Sequence, residues 1–105
     1  MAGTYDTIAE ELKADPAVRP GSMFGHRCLK TGRKVFATEY EGELLVKLPA
    51  ERIEELKREG ARDFMPMGRK MTGWILVAEP ADDAVGAWLD IAEEAKAFVA
   101  AAGAA

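Results

Sequence analysis

The stretch that decides the fold opens Met23-Phe24-Gly25-His26 and runs through Val35-Phe36-Ala37 and Gly42-Glu43-Leu44-Leu45-Val46-Lys47-Leu48. It closes with Phe64-Met65-Pro66-Met67-Gly68-Arg69-Lys70-Met71-Thr72-Gly73-Trp74-Ile75. Within it, short apolar runs alternate with glycine-bearing turns. Each run is too short for a stable helix and is bounded by turn formers, which marks strands joined by hairpins. His26 to Lys30, Lys34 to Tyr40 and Glu43 to Leu48 therefore read as a three-stranded meander. Arg62 to Met65 and Met71 to Ala78 read as two more strands around a Pro66-to-Lys70 connection. Alternation fails at Val35-Phe36 and at Leu44-Leu45-Val46, so these strands are expected to be covered on both faces.

Outside the strands the pattern turns helical. Tyr5, Ile8 and Leu12 fall near one face of a helix from Thr4 to Ala14, with Thr4 placed to cap it. Asp15-Pro16 ends that helix, because the residue before proline is pushed out of the helical region, and Arg19-Pro20-Gly21 reads as a turn. Pro49 opens a second helix carrying Ile53 and Leu56, with Gly60 just past its end. After Pro80, Asp82 or Asp83 caps a third helix. Its apolar stripe is Val85, Trp88, Leu89, Ala92, Ala95 and Val99, with a frayed end expected from Ala100. The expected fold is α+β: a mainly antiparallel five-stranded sheet with N-terminal and C-terminal helices and one inserted helix, forming one domain over residues 1–105.

Composition narrows the function classes. No apolar run approaches the ~20 residues of a membrane span, and the N-terminus lacks the basic and apolar regions of a signal peptide. With a single cysteine, Cys28, no internal disulfide forms, and a cytoplasmic location is expected. The net charge of −4 weighs against nucleic-acid binding by the whole surface. Arg19, Arg27, Lys30, Arg33 and Lys34 nevertheless form an acid-free basic stretch, while the sequence after Glu79 is acidic. Asparagine and glutamine are absent, so no side-chain amide is available to orient a base or bind an oxyanion.

In order, Met23-Phe24-Gly25 enters a hairpin, Phe36-Ala37 lies in the second strand, and Gly42, Leu44 and Lys47 form a Gly-x-Leu-x-x-Lys pattern in the third. A helix ending near Gly60, then Phe64 and the Gly68-to-Trp74 hairpin, follow. This series, over roughly Met23 to Val99, resembles the N-terminal domain of the TfoX/Sxy family, and the Met65-to-Trp74 segment looks like that of short stand-alone relatives. The fold is also similar to the YjbR/MmcQ group, some members of which are described as DNA-binding. The resemblance implies a regulatory, non-enzymatic role like that of the competence regulators. Those regulators carry a second, helical C-terminal domain, which this chain is expected to lack, so a competence role does not transfer with the fold.

The residues offer few sites for chemistry. His26 and Cys28, two apart on one strand, have Cα atoms about 7 Å apart, too far for a ready nucleophile–base pair. Two ligands do not close a metal shell either, so no metal and no cofactor are expected. Glu39, Glu41 and Glu43 read as a solvated hairpin tip, and Asp82-Asp83 as a helix cap. Neither a phosphate loop nor a dinucleotide fingerprint is present. Met65, Met67 and Met71 read first as core, and as a partner-binding patch if two of them prove exposed.

Three functions remain as expectations. The first is a protein-interaction module, with another protein or a second copy (as a homodimer) as partner. Its candidate ligand or partner site is Met23, Phe24, Gly25, Arg27, Lys47, Arg69, Lys70 and Trp74, with Arg27 and Lys47 expected to share a face. The second is nucleic-acid binding through Arg27, Lys30, Arg33 and Lys34. The third is binding of a small anionic ligand by Lys47, Arg69 and Lys70, which a closed pocket with a buried charge beside them would favour. No catalytic set and no membrane partner are expected.

Overall fold

Six strands form the sheet, one more than the sequence suggested. The additional strand is β1 (Val18–Met23), which pairs antiparallel with β2 (His26–Thr31) from Val18↔Thr31 to Met23↔His26. Arg19-Pro20-Gly21, expected as a turn, lies inside it. Proline is tolerated there because β1 is an edge strand, where a missing donor leaves no central ladder bond unmade. Gly21 leaves room for the side chain of Lys30, which pairs with Arg19 and leans over Gly21: a Cβ there would sit 2.8 Å from Lys30 Cε.

The computed structural model describes residues 3–23 and 25–103, so Phe24 lies outside the described residues. Before β1 comes α1 (Thr4–Leu12). After β2 come β3 (Lys34–Tyr40), β4 (Glu43–Lys47), α2 (Ala50–Arg58), β5 (Arg62–Asp63), β6 (Trp74–Val77) and α3 (Ala84–Gly103). The antiparallel order is β1-β2-β3-β4-β6-β5. Both β5 and β6 are shorter than their apolar runs, because a tight turn at Pro66–Gly68 and the residues after it leave the ladder.

Two rows of side chains show how the faces divide. Leu29, Ala37, Val46 and Ile75 are successive partners across four strands and are fully covered. Upon that row pack Tyr5, Ile8 and Leu12 of α1, Ile53 and Leu56 of α2, and Trp88, Ala92, Ala95 and Val99 of α3. Nine residues of α1 would be only marginally helical alone, so this burial and its tether to Arg27 hold it in place. Cys28, Thr38, Leu45 and Leu76 form the row on the opposite face. Its cover is Phe64, Trp74 and the partly buried Met23, Val35, Tyr40 and Met71. The chain closes over this face where Met71 N–H donates to the Phe64 carbonyl at 2.8 Å.

A β-bulge explains the broken alternation. Lys30 pairs with Val35 but Leu29 with Ala37, leaving Phe36 as an extra residue. Phe36 and Ala37 thereby both enter the helix-covered core with no exposed surface. Thr38, which follows, is fully buried, and its hydroxyl has no hydrogen-bond partner among the described residues.

The caps follow local chemistry. Gly3 rather than Thr4 caps α1, and its N–H donates to the Asp6 carboxylate at 3.0 Å. Thr4 instead donates its hydroxyl to Glu79, tying α1 to the chain after β6. Asp83 accepts from Gly86 N–H at 3.3 Å and caps α3, as the sequence suggested. That helix continues through residues 100–102, where alanine's high helix propensity extends it.

Candidate functional site

Lys47 and Trp74 are direct partners in the β4–β6 ladder, on the face turned away from the helices. The Lys47 ammonium lies 5.8 Å from the centre of the Trp74 ring, a cation–π contact. Three further segments of the chain meet this pair. The β2–β3 hairpin brings Lys34 and Val35, the last turns of α3 bring Phe98 and Val99, and the approach to β6 brings Lys70. Two adjoining concavities result, of about 320 and 290 Å³, and both are lined by Lys47, Trp74 and Phe98. They are open grooves rather than a closed pocket of the kind that would favour the small-anion reading.

The charges around this groove are unevenly spent. Lys70 approaches Asp63 Oδ1 at 3.7 Å, and Glu54, an acid on the same rim, faces Lys57 at 3.9 Å. Lys34 and Lys47 have no carboxylate within ion-pair distance among the described residues. Of the residues singled out from sequence, Lys47, Lys70 and Trp74 are thus brought together, and Lys34 joins them from the basic stretch.

The others lie elsewhere. Arg27 does not share a face with Lys47. It stands in the helix-side register with Leu29, donates to Glu39 from Nε at 3.2 Å and Nη2 at 2.7 Å, and pairs with Asp6. Hydrogen bonds to Asp6 and Glu39 push its pKa up, while the Asp6 carboxyl is held below its ordinary value by Arg27 and then by Gly3 N–H. The bulge is the cause of the misplacement: pairing counted back from the Gly32 turn without Phe36 as an extra residue puts Arg27 on the wrong side. Gly25, at φ 77°, occupies the β1–β2 turn at the far end of β2 from the Lys34 hairpin, with open space beside it. Its glycine serves the turn rather than a close approach. Met23 packs under the second apolar cluster, and Arg69 is exposed outside both grooves.

The basic stretch divides. Lys30, opposite Val35, stays with Arg33 and Lys34 at the β2–β3 hairpin, whereas Arg27 is bound into the α1 contact. His26 rests on the Tyr40 ring at 4.6 Å between centroids, while burial pushes the pKa of the Cys28 thiol up. Among the described residues no group of three or more His, Cys, Asp or Glu is placed to hold a metal ion. Nor is any described helix long and apolar enough to cross a membrane.

The methionines divide. Met71 packs against the second cluster, but Met65 is 55% exposed and Met67 fully exposed, contrary to a core role for all three. Their backbone is ordered: Gly68 N–H donates to the Met65 carbonyl at 3.3 Å and Arg69 N–H to Pro66 at 3.2 Å. Met67 itself adopts φ 56°, ψ 30°, a left-handed conformation costly for a side chain with a Cβ. Phe98 was the residue the sequence reading missed. It lies one heptad beyond Ile91, and that spacing was the available signal that the α3 apolar face is wider than one stripe.

No curated protein matches the chain. The family profile of the TfoX N-terminal domain matches residues 10–99, beginning within α1 and running to the last turns of α3. With 90 of its 105 residues covered in this way, the chain belongs to the TfoX N-terminal domain family.

Proposed function

We propose that this domain acts by binding another protein rather than by catalysis, with the Met65-to-Lys70 connection as its contact surface. The observation that carries this is the exposure of Met65 and Met67 on a hydrogen-bonded turn pinned between buried Phe64 and packed Met71. Flexible, polarisable methionines held in water form an adaptable apolar contact. Arg69 and Lys70 follow at once, so the complementary surface is an apolar pocket fringed by acidic groups. A regulatory role accords with the family, whose name derives from a competence regulator. Arg27 is taken up by Asp6 and Glu39, which leaves the nucleic-acid reading with Lys30, Arg33 and Lys34 alone.

In-cell photocrosslinking tests the proposal. A photoreactive phenylalanine analogue replaces Met67 in one variant and exposed Glu51 of α2 in another. A discrete adduct from position 67 and none from position 51 is expected, and Met65→Ser should weaken it. An adduct of twice the chain mass would make the partner a second copy. Equal labelling from both positions, or none from position 67, would overturn the proposal.

A further inference from the structure

We propose that the groove around Lys47 and Trp74 is a separate binding site for a small amphipathic carboxylate. Its floor is apolar: Trp74, Phe98, Val35 and Val99 in one half, with Ile53 extending the other. Its unpaired rim charges are Lys34 and Lys47, whereas Lys70 faces Asp63 and the rim acid Glu54 faces Lys57. An apolar floor gives an inorganic anion little to bind, and lysines on the rim repel a cationic amphiphile. A carboxylate with an aliphatic or aromatic body satisfies both parts, its body on Trp74 and Phe98 and its head at Lys47. Each half, at about 320 and 290 Å³, is near the lower end of small-molecule sites, which favours a ligand of modest size. An ammonium that already rests against an aromatic ring carries little competing hydration on that side, so a carboxylate can add to the contact without breaking it.

Two tryptophans make the test internally controlled. Trp74 lines the groove, whereas the Trp88 indole N–H donates to the Ala78 carbonyl in the helix-side core. In a proton–nitrogen correlation spectrum, octanoate is titrated alongside octanol, octylammonium and acetate. Octanoate should shift Trp74, Lys47 and Phe98 with millimolar or sub-millimolar affinity while leaving Trp88 in place. Octanol should bind about tenfold more weakly, and octylammonium and acetate should not shift these signals. Lys47→Glu should weaken octanoate about tenfold or more, with Lys34→Glu as a second variant at a different strand should the first fold poorly. Equal binding of octanol and octanoate would overturn the proposal, as would shifts centred elsewhere or unchanged affinity in both variants. Binding only of a longer acidic peptide would overturn it too, reassigning the groove to a protein partner. Replacing Met65 and Met67 with serine should leave octanoate binding intact, so the two sites fail or survive independently.

Discussion

Arg27 grips Glu39 across the β2–β3 pair with two nitrogens on one oxygen, Nε at 3.2 Å and Nη2 at 2.7 Å. Its remaining nitrogen holds Asp6 of α1, and its guanidinium carbon lies 5.0 Å from the centre of the Tyr5 ring. A single side chain thus ties the first helix to the sheet. About half of it is exposed, so its ion pairs are discounted for solvent screening. Arg27→Met is expected to lower stability by about 1 kcal/mol in urea unfolding at low salt, and by less at 1 M salt. Identical midpoints for both proteins at low salt would count against any stabilising role.

Thr38 is the opposite case, a polar group with nothing to gain from its site. Its hydroxyl is buried without a partner among the described residues, on a strand that favours β-branched side chains. Thr38→Val keeps the shape and removes the unpaired group. It should raise stability by about 1 kcal/mol. A loss instead would reveal a hydrogen bond that forms in solution.

Met67 sets stability against contact. Asparagine accepts the left-handed conformation more readily than methionine, so Met67→Asn should stabilise the fold by a few tenths to about 1 kcal/mol. The same change should abolish the position-67 contact proposed above. Calorimetry on the variant decides the first part, and co-purification with the crosslinked partner decides the second.

Acid should act on both ends of α1. The Asp6 carboxyl is depressed below its ordinary 3.8 by Arg27 and then Gly3 N–H, and Asp15 by Ala17 N–H and then Lys96. The unfolded chain takes up these protons near the ordinary value and the folded protein only below it. Stability present above the ordinary value is therefore lost as pH falls through that value towards the folded one. The double variant Asp6→Asn, Asp15→Asn should be less stable than the parent at neutral pH and should lose less on acidification. Parallel stability curves would remove both carboxyls from the account.

What the sequence revealed and what it hid have specific causes. The hairpins around Gly32 and Gly42 and the three helices are local events, signalled by turn residues and apolar spacing. Strand β1 was missed because Arg19-Pro20-Gly21 carries turn chemistry, and only pairing with β2 makes it a strand. The face of Arg27 was misread because one bulged residue reverses the parity of every count across it. Lys47, Lys70 and Trp74 were found because they lie on or beside β4 and β6. Lys34 and Phe98 join them only through tertiary packing; the heptad spacing from Ile91 marks Phe98 as apolar-face but not as a neighbour of Trp74.

The edges of the sheet limit how this domain can associate. Pro20 interrupts the row of donors along β1, and β5 at the other edge is two residues long. Neither offers the ledge of free backbone groups on which an incoming strand continues a ladder. Polymerisation by strand addition is therefore blocked on both sides, and crowding should not convert the protein into extended fibrils. Complexes built on this domain must be written in side chains, so single substitutions can retune its choice of partner without rebuilding its backbone.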